Sequence, residues 1–264
     1  MIKNLAGLFL ALIFTNFSLN SLANQKISLY ADVWCPYNCV PNSDYEGLLV
    51  EVAKYAFKKH NIDVEYKVKP WIECVNDFNK GEIDGIIGAS TDEVFNFVPP
   101  SNEIAISNIS AFTLDDTFWV YERPESLHKR SVGIVEAYSY DVSLKNYLYT
   151  IFVTNPDSVY ISYASKPVED NVKLLMERKI FTYIEDDKVV GHYAQVNKLA
   201  RIRKASSVQS PQRVYVLFPD SNPNSKLYAK YMSDAVFEMK ENGMMKKLIR
   251  KYNFDKVGDD LNIQ

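Results

Sequence analysis

The chain is predicted to fold as two α/β lobes, each a largely parallel sheet flanked by helices. Strand-type and helix-type patterns alternate from Lys26 to Gly88, and a second such series begins after Pro124. Two long extended stretches, Ser110–Glu122 and Gln212–Phe218, stand where a chain would pass from one lobe to the other and back.

In the first series, Lys26–Val33 alternates apolar and polar residues as a strand. A loop rich in Pro, Asn, Ser and Cys runs to Asp44. Leu48, Leu49, Val52, Ala53, Ala56 and Phe57 then recur on one helical stripe. Ile62, Val64, Tyr66 and Val68 alternate as the second strand. Trp71–Asn79 reads as a helix, with Gly81 at its C-terminal stop, and Ile83–Gly88 as a buried strand. Strand, helix, strand, helix, strand at this spacing requires crossover connections. The second series predicts strands at Ser131–Val135, Ser158–Ser162 and Phe181–Ile184. Its helices fall at Asp141–Leu148, Pro167–Arg178 and Lys188–Asn197. Helices at Asn224–Glu241 and Met244–Tyr252, separated by Gly243, complete the chain.

The first 23 residues have the layout of a secretory signal peptide: a positive start at Lys3, an apolar run from Leu5 to Phe17, and small residues at Ser21 and Ala23. Cleavage after Ala23 and a periplasmic mature protein are the expectation. The formal net charge of −3 becomes one unit more negative on losing Lys3. With no Lys/Arg block, nothing supports nucleic-acid binding. An oxidising compartment favours pairing of two of the cysteines, Cys35, Cys39 and Cys74. Cys35–Cys39 closes a small loop and is favoured; zinc is the rival, with no histidine nearby to support it.

Catalytic signatures are missing. There is no G-x-S-x-G elbow, no H-E-x-x-H and no P-loop. The three histidines, His60, His128 and His192, lie in polar surroundings that predict exposure. No cofactor is expected, and an enzyme reading lacks positive evidence.

Several stretches resemble bacterial extracellular solute-binding proteins of family 3, the polar amino-acid-binding components of ABC importers. They are Gly47–Ala53, Pro70–Trp71, Gly81–Ser90, Val132–Tyr140, Ile184–Asp186 with Val189 and Tyr193, and Asn222–Pro223 through Tyr252. The resemblance implies a two-lobed periplasmic-binding-protein fold of type II, with two hinge crossings and a ligand enclosed between lobes. It also implies a monomer whose partners are a small molecule and a permease in the inner membrane. A membrane signalling protein is the alternative partner, and an enzyme on the same scaffold the third reading. The expected division is residues 24–115 for the first part of lobe one, 116–212 for lobe two, and 213–264 for the return to lobe one.

Ligands of open α/β sheets sit at the carboxyl ends of parallel strands. That rule nominates Asp32, Trp34, Trp71, Ser90 and Thr91 from lobe one, and Tyr138, Ser139, Tyr140, Glu185 and Asp186 from lobe two. Each has a plain structural reading as well. Trp71 packs a helix, Trp34 covers a disulfide, Ser90 and Thr91 cap a turn, and one of Glu185 and Asp186 is a solvated acid. Of the two tyrosines, Tyr140 is preferred for the cleft. The departures from the family pattern are informative. Val94 stands where the resemblance leads one to expect an arginine, and Glu73 where a related pattern carries another. No arginine precedes Arg123, so early lobe one has no guanidinium fork for a carboxylate. An aromatic and acidic cleft that includes Glu73 suits an amine or other cation, or a sugar or heterocycle stacked on tryptophan. The alternative for Glu73 is an acid favouring the local helix dipole.

Overall fold

The computed structural model describes residues 25–254. The expected signal peptide lies outside them, and no helix among the described residues is long and apolar enough to cross a membrane. The elements in chain order are β1 (Gln25–Ala31), α1 (Leu48–Lys58), β2 (Ile62–Val68), α2 (Trp71–Lys80), β3 (Gly85–Ala89), β4 (Phe97–Val98), β5 (Ala105–Ser107) and β6 (Ile109–Leu114). There follow β7 (Val132–Val135), α3 (Val142–Thr154), β8 (Val159–Ser162), α4 (Pro167–Met176), β9 (Thr182–Asp186) and α5 (Asp187–Val196). The last are β10 (Ile202–Ser207), β11 (Gln212–Pro219), α6 (Ser225–Glu241) and α7 (Met244–Lys251).

Two sheets result. The first runs β2-β1-β3-β11-β4, with β5 also on β11; the second runs β10-β6-β9-β7-β8. Each is largely parallel, as expected, with one strand running against the rest. Strands β1, β2 and β3 are parallel to one another, as are β7, β8 and β9. Strands β11 and β6 run against them. The reason is topological: β6 and β11 each arrive directly from the other lobe, without a crossover helix to restore direction.

The same pairings move a boundary. β5 pairs in the first sheet and β6 in the second, so the chain changes sheets at Asn108, earlier than the expected boundary after Asp115. It returns between Ser207 and Gln212, close to the expected position. All six residues of β6 are buried, so its sequence carries no alternation to reveal which sheet it joins.

The amphipathic pattern explains the layers. The apolar stripe of α1 (Leu48, Leu49, Val52, Ala53, Ala56, Phe57) packs with Ile27 and Leu29 of β1 and with Tyr228, Met232 and Val236 of α6. Helix α2 covers the opposite face of that sheet, with Trp71, Cys74, Val75 and Phe78 against Ile86 and Leu217. The carboxyl ends of β1, β3 and β9 and the turn after β7 are thereby left to face one another.

Candidate functional site

The turn after β1 is stapled by a disulfide between Cys35 and Cys39, with Cα atoms 4.8 Å apart, and Cys74 is a free, buried thiol. This turn carries part of the lobe-one side of the interface. Its backbone meets the first amides of α1: Leu48 N–H donates to Pro36 O (3.0 Å) and Leu49 N–H to Tyr37 O (2.9 Å). Helix α1 has no side-chain cap, so the turn satisfies amides that would otherwise be orphaned.

From that turn, Trp34 Nε1–H donates to Glu185 Oε1 at 2.9 Å. The Tyr37 hydroxyl, its ring stacked on Trp34 at 4.1 Å, donates to Asp186 Oδ2 at 3.1 Å. Both acids are fully buried, so neither is the solvated acid expected of the pair. Glu185 also receives the Tyr183 hydroxyl, and Asp186 Oδ1 caps α5 by accepting from Lys188 N–H and Val189 N–H. Burial pushes the Glu185 carboxyl up to about 8 and Asp186 up to about 6, against the opposing pull of their hydrogen bonds. These two residues form the latch of the interface and do not line its cavity.

Replacing Trp34 with Phe keeps most of the packing and removes one donor from a buried carboxylate. Trp34→Phe is therefore expected to cost about 1–3 kcal/mol of unfolding free energy, read by urea titration.

Beyond the latch lies a cavity of about 30 Å³, whose walls include Asp32, Trp34, Trp71, Ser90, Tyr138 and Ser139 of the expected set. Tyr138 enters it from lobe two. Its ring stands edge-on to Trp34 (6.4 Å) and Trp71 (6.1 Å), and its hydroxyl donates to Asp32 Oδ2 at 2.5 Å. Trp71 both packs and faces the cleft: it is buried against Cys74 and Phe78, and its Nε1–H donates to Ala137 O at 3.2 Å. The preference for Tyr140 is corrected in favour of Tyr138. The Tyr140 hydroxyl turns back to accept Val135 N–H (3.0 Å), and its ring lines a side groove beside α3.

Two further expectations are corrected. Thr91 is exposed and lies outside the cavity walls. Glu73 is exposed in the first turn of α2, on the outward face opposite Cys74 and Phe78, and does not line the cavity. Its helix-dipole reading fits this position.

Sequence reasoning missed Glu93, Asn38 and Gln212, which also line the walls. Glu93 Oε2 accepts from Ser90 N–H (2.6 Å), and its Oε1 accepts Ser139 N–H (3.2 Å) across the lobes. A signal for Glu93 was present: Ser90-Thr91-Asp92-Glu93 has the S-x-x-E spacing in which a glutamate reaches back to the amide three residues earlier. Gln212 Nε2 donates to Ser139 Oγ at 2.8 Å. Desolvation pushes Asp32 and Glu93 each up to about 7, and the Glu93 charge adds to the rise at Asp32.

No lysine or arginine lines this cavity among the described residues. Arg123 and Arg213 are exposed, beside Glu125 and Glu103. Val94 is core. No group of three or more His, Cys, Asp or Glu side chains suited to a metal occurs among the described residues. Of the histidines, His60 and His128 are exposed as expected. His192 is half-buried and its pKa is lowered by burial.

The comparisons agree with this architecture. An ancestral arginine-binding protein bound to arginine superposes with a TM-score of 0.70 at 16% identity, covering 86% of this chain and 97% of that one. A histidine kinase sensor domain with similarity to periplasmic binding proteins gives 0.69 at 16% identity, covering 86% and 95%. The GluR0 ligand-binding core from Nostoc punctiforme in complex with L-glutamate gives 0.65 at 14% identity, covering 86% and 98%. At these identities the likeness is one of fold. No curated protein matches the chain. Residues 28–256 match the family of bacterial extracellular solute-binding proteins, family 3, and the chain, with its two lobes and cleft, belongs to that family.

Proposed function

We propose that this solute-binding protein captures a small cationic solute between its lobes, without the arginine clamp of amino-acid binders, and delivers it to an ABC importer in the inner membrane. The observation that carries this reading is the charge of the cavity: Asp32 and Glu93 line it, with Trp34, Trp71 and Tyr138 around them and no basic side chain among its walls. A carboxylate-bearing ligand would meet two acids, each pushed up to about 7, and no guanidinium fork, whereas an ammonium holds them ionised and meets ring faces. A neutral sugar gains the stacking but does not offset the buried negative charge.

Delivery to a permease is supported by membership of the extracellular solute-binding family. A sensing role is supported by the likeness to a histidine kinase sensor domain. In that reading the same closure would be reported to a membrane signalling protein. The ligand reading is independent of which partner receives it. Binding without turnover is expected.

A thermal-shift screen of amines, amino acids, sugars and nucleosides tests the ligand class. A ligand that binds only the folded protein raises its melting temperature, by the equivalent of about 2.7 kcal/mol at a hundredfold excess over Kd. Amines are expected to give the shifts. Stabilisation by acidic or neutral α-amino acids, with amines silent, would refute the cation reading.

A further inference from the structure

We propose that the cleft selects an organic dication: an α,ω-diamine whose two ammonium groups meet Asp32 and Glu93. The proposal rests on the cation reading above and adds the charge count.

Asp32 and Glu93 line one cavity, and each is held across the interface by a single lobe-two donor. Those donors are adjacent in one turn: the Tyr138 hydroxyl, 2.5 Å from Asp32, and the Ser139 amide, 3.2 Å from Glu93. A ligand that enters by displacing the Tyr138 phenol from between the tryptophans must therefore replace a donor at Asp32. A second, independent feature of the walls also asks for donors. Asn38 is fully buried, its Nδ2 donates to Asp32 O at 2.8 Å, and its Oδ1 has no hydrogen-bond partner although Asn38 lines the same cavity. Buried acceptors without donors are costly. An ammonium group brings three N–H donors and a positive charge, where a hydroxyl brings one donor and no charge.

The number of charges then decides between one amine and two. The titratable groups around the pair are Tyr66, Cys74, Tyr138, Tyr140, Tyr183 and Asp92, and none is a cation. Closing the lobes over one ammonium leaves a second carboxylate desolvated and uncompensated. It must then keep a proton, as an acid pushed up to about 7 does. Closing over a diammonium keeps both ionised and displaces the protons they hold.

Isothermal titration with 1,4-diaminobutane and n-butylamine near pH 7, in two buffers of different ionisation enthalpy, reads both affinity and proton count. The diamine is expected to bind at least about tenfold more tightly, with release of about one proton, and butylamine to bind with little net proton exchange. Glu93→Gln keeps an acceptor for the Ser90 and Ser139 amides. It is expected to lower diamine affinity by about tenfold or more and to abolish the preference over butylamine. The proton count on the unaltered protein stands even where a variant folds poorly. Equal affinity for the two amines, or a diamine preference that survives Glu93→Gln, overturns the dication while leaving the cation reading in place. Failure of both amines, with an amino acid or sugar binding instead, overturns both.

Discussion

Raising the pH from 5 to 8 is expected to lower the protein's melting temperature by about 5–10 °C in the absence of ligand. Acidic residues in most folded proteins have depressed pKa values, and their stabilisation is lost on acidification. Here the sign is reversed. Asp186, Asp32, Glu93 and Glu185 are pushed up to about 6, 7, 7 and 8, in each case chiefly by burial. An unfolded carboxyl titrates near 4, so between about pH 4 and pH 8 the folded chain holds protons that the unfolded chain has released. Stability therefore falls as the pH rises, by up to about tenfold in the folding equilibrium per pH unit for each group in its window. His192 works against this trend, because burial lowers its pKa and acidification then favours the unfolded chain. It is one group against four. The surface acids held low by basic or hydroxyl neighbours, such as Asp116 beside Arg178 and Asp141 beside Ser143, titrate below the window and leave it unchanged. Thermal melts at half-unit pH intervals check the prediction. A melting temperature that rises from pH 5 to pH 8 would show the four carboxyls to be ionised and stabilised in the folded state. All four lie where the lobes meet, so a cationic ligand should flatten the profile by replacing the protons.

The extent to which sequence revealed this arrangement follows from local periodicity. Strand β2 matches its alternating pattern from Ile62 to Val68, and α1 begins at the first residue of its apolar stripe. Residues placed by strand ends, Asp32, Trp71 and Ser90, reach the cavity as the carboxyl-end rule requires. Residues placed by irregular turns escape that rule. Tyr138 and Tyr140 lie two apart, and which of them enters the cleft is set by the turn that follows Val135, where Ala137 has a positive φ. Glu93 projects from a turn whose direction has no period, and only its spacing from Ser90 hints at its course. Glu73 misled for the opposite reason. Analogy to a charged position places it in the cleft, whereas the helix register turns it outward while Trp71, Cys74 and Phe78 face the core.

Gly47→Ala is expected to destabilise the protein by about 3–5 kcal/mol, a fall of roughly 10 °C in melting temperature. Gly47 has φ +107° and ψ 153°, a conformation that side-chain-bearing residues essentially avoid. A Cβ there would lie 2.4 Å from Tyr37 O and 2.7 Å from Asn38 Cα, both backbone atoms that cannot swing aside. Relief requires the N-terminus of α1 to separate from the disulfide turn. That separation breaks the bonds from Leu48 and Leu49 to Pro36 O and Tyr37 O, which hold the turn in place. The same turn carries Trp34 and Tyr37 to Glu185 and Asp186, and Asn38 to the cavity wall. The damage should thus extend to closure, and ligand affinity should fall together with stability. Gly243→Ala supplies the control. Gly243 also has a positive φ, +75°, but a Cβ there meets nothing within 4 Å, so only backbone strain of about 1 kcal/mol is expected. The difference between the two variants isolates the contact between α1 and the turn. Equal, small losses in both would mean that the turn yields to the methyl group, and that the geometry of the cleft does not depend on its seat against α1.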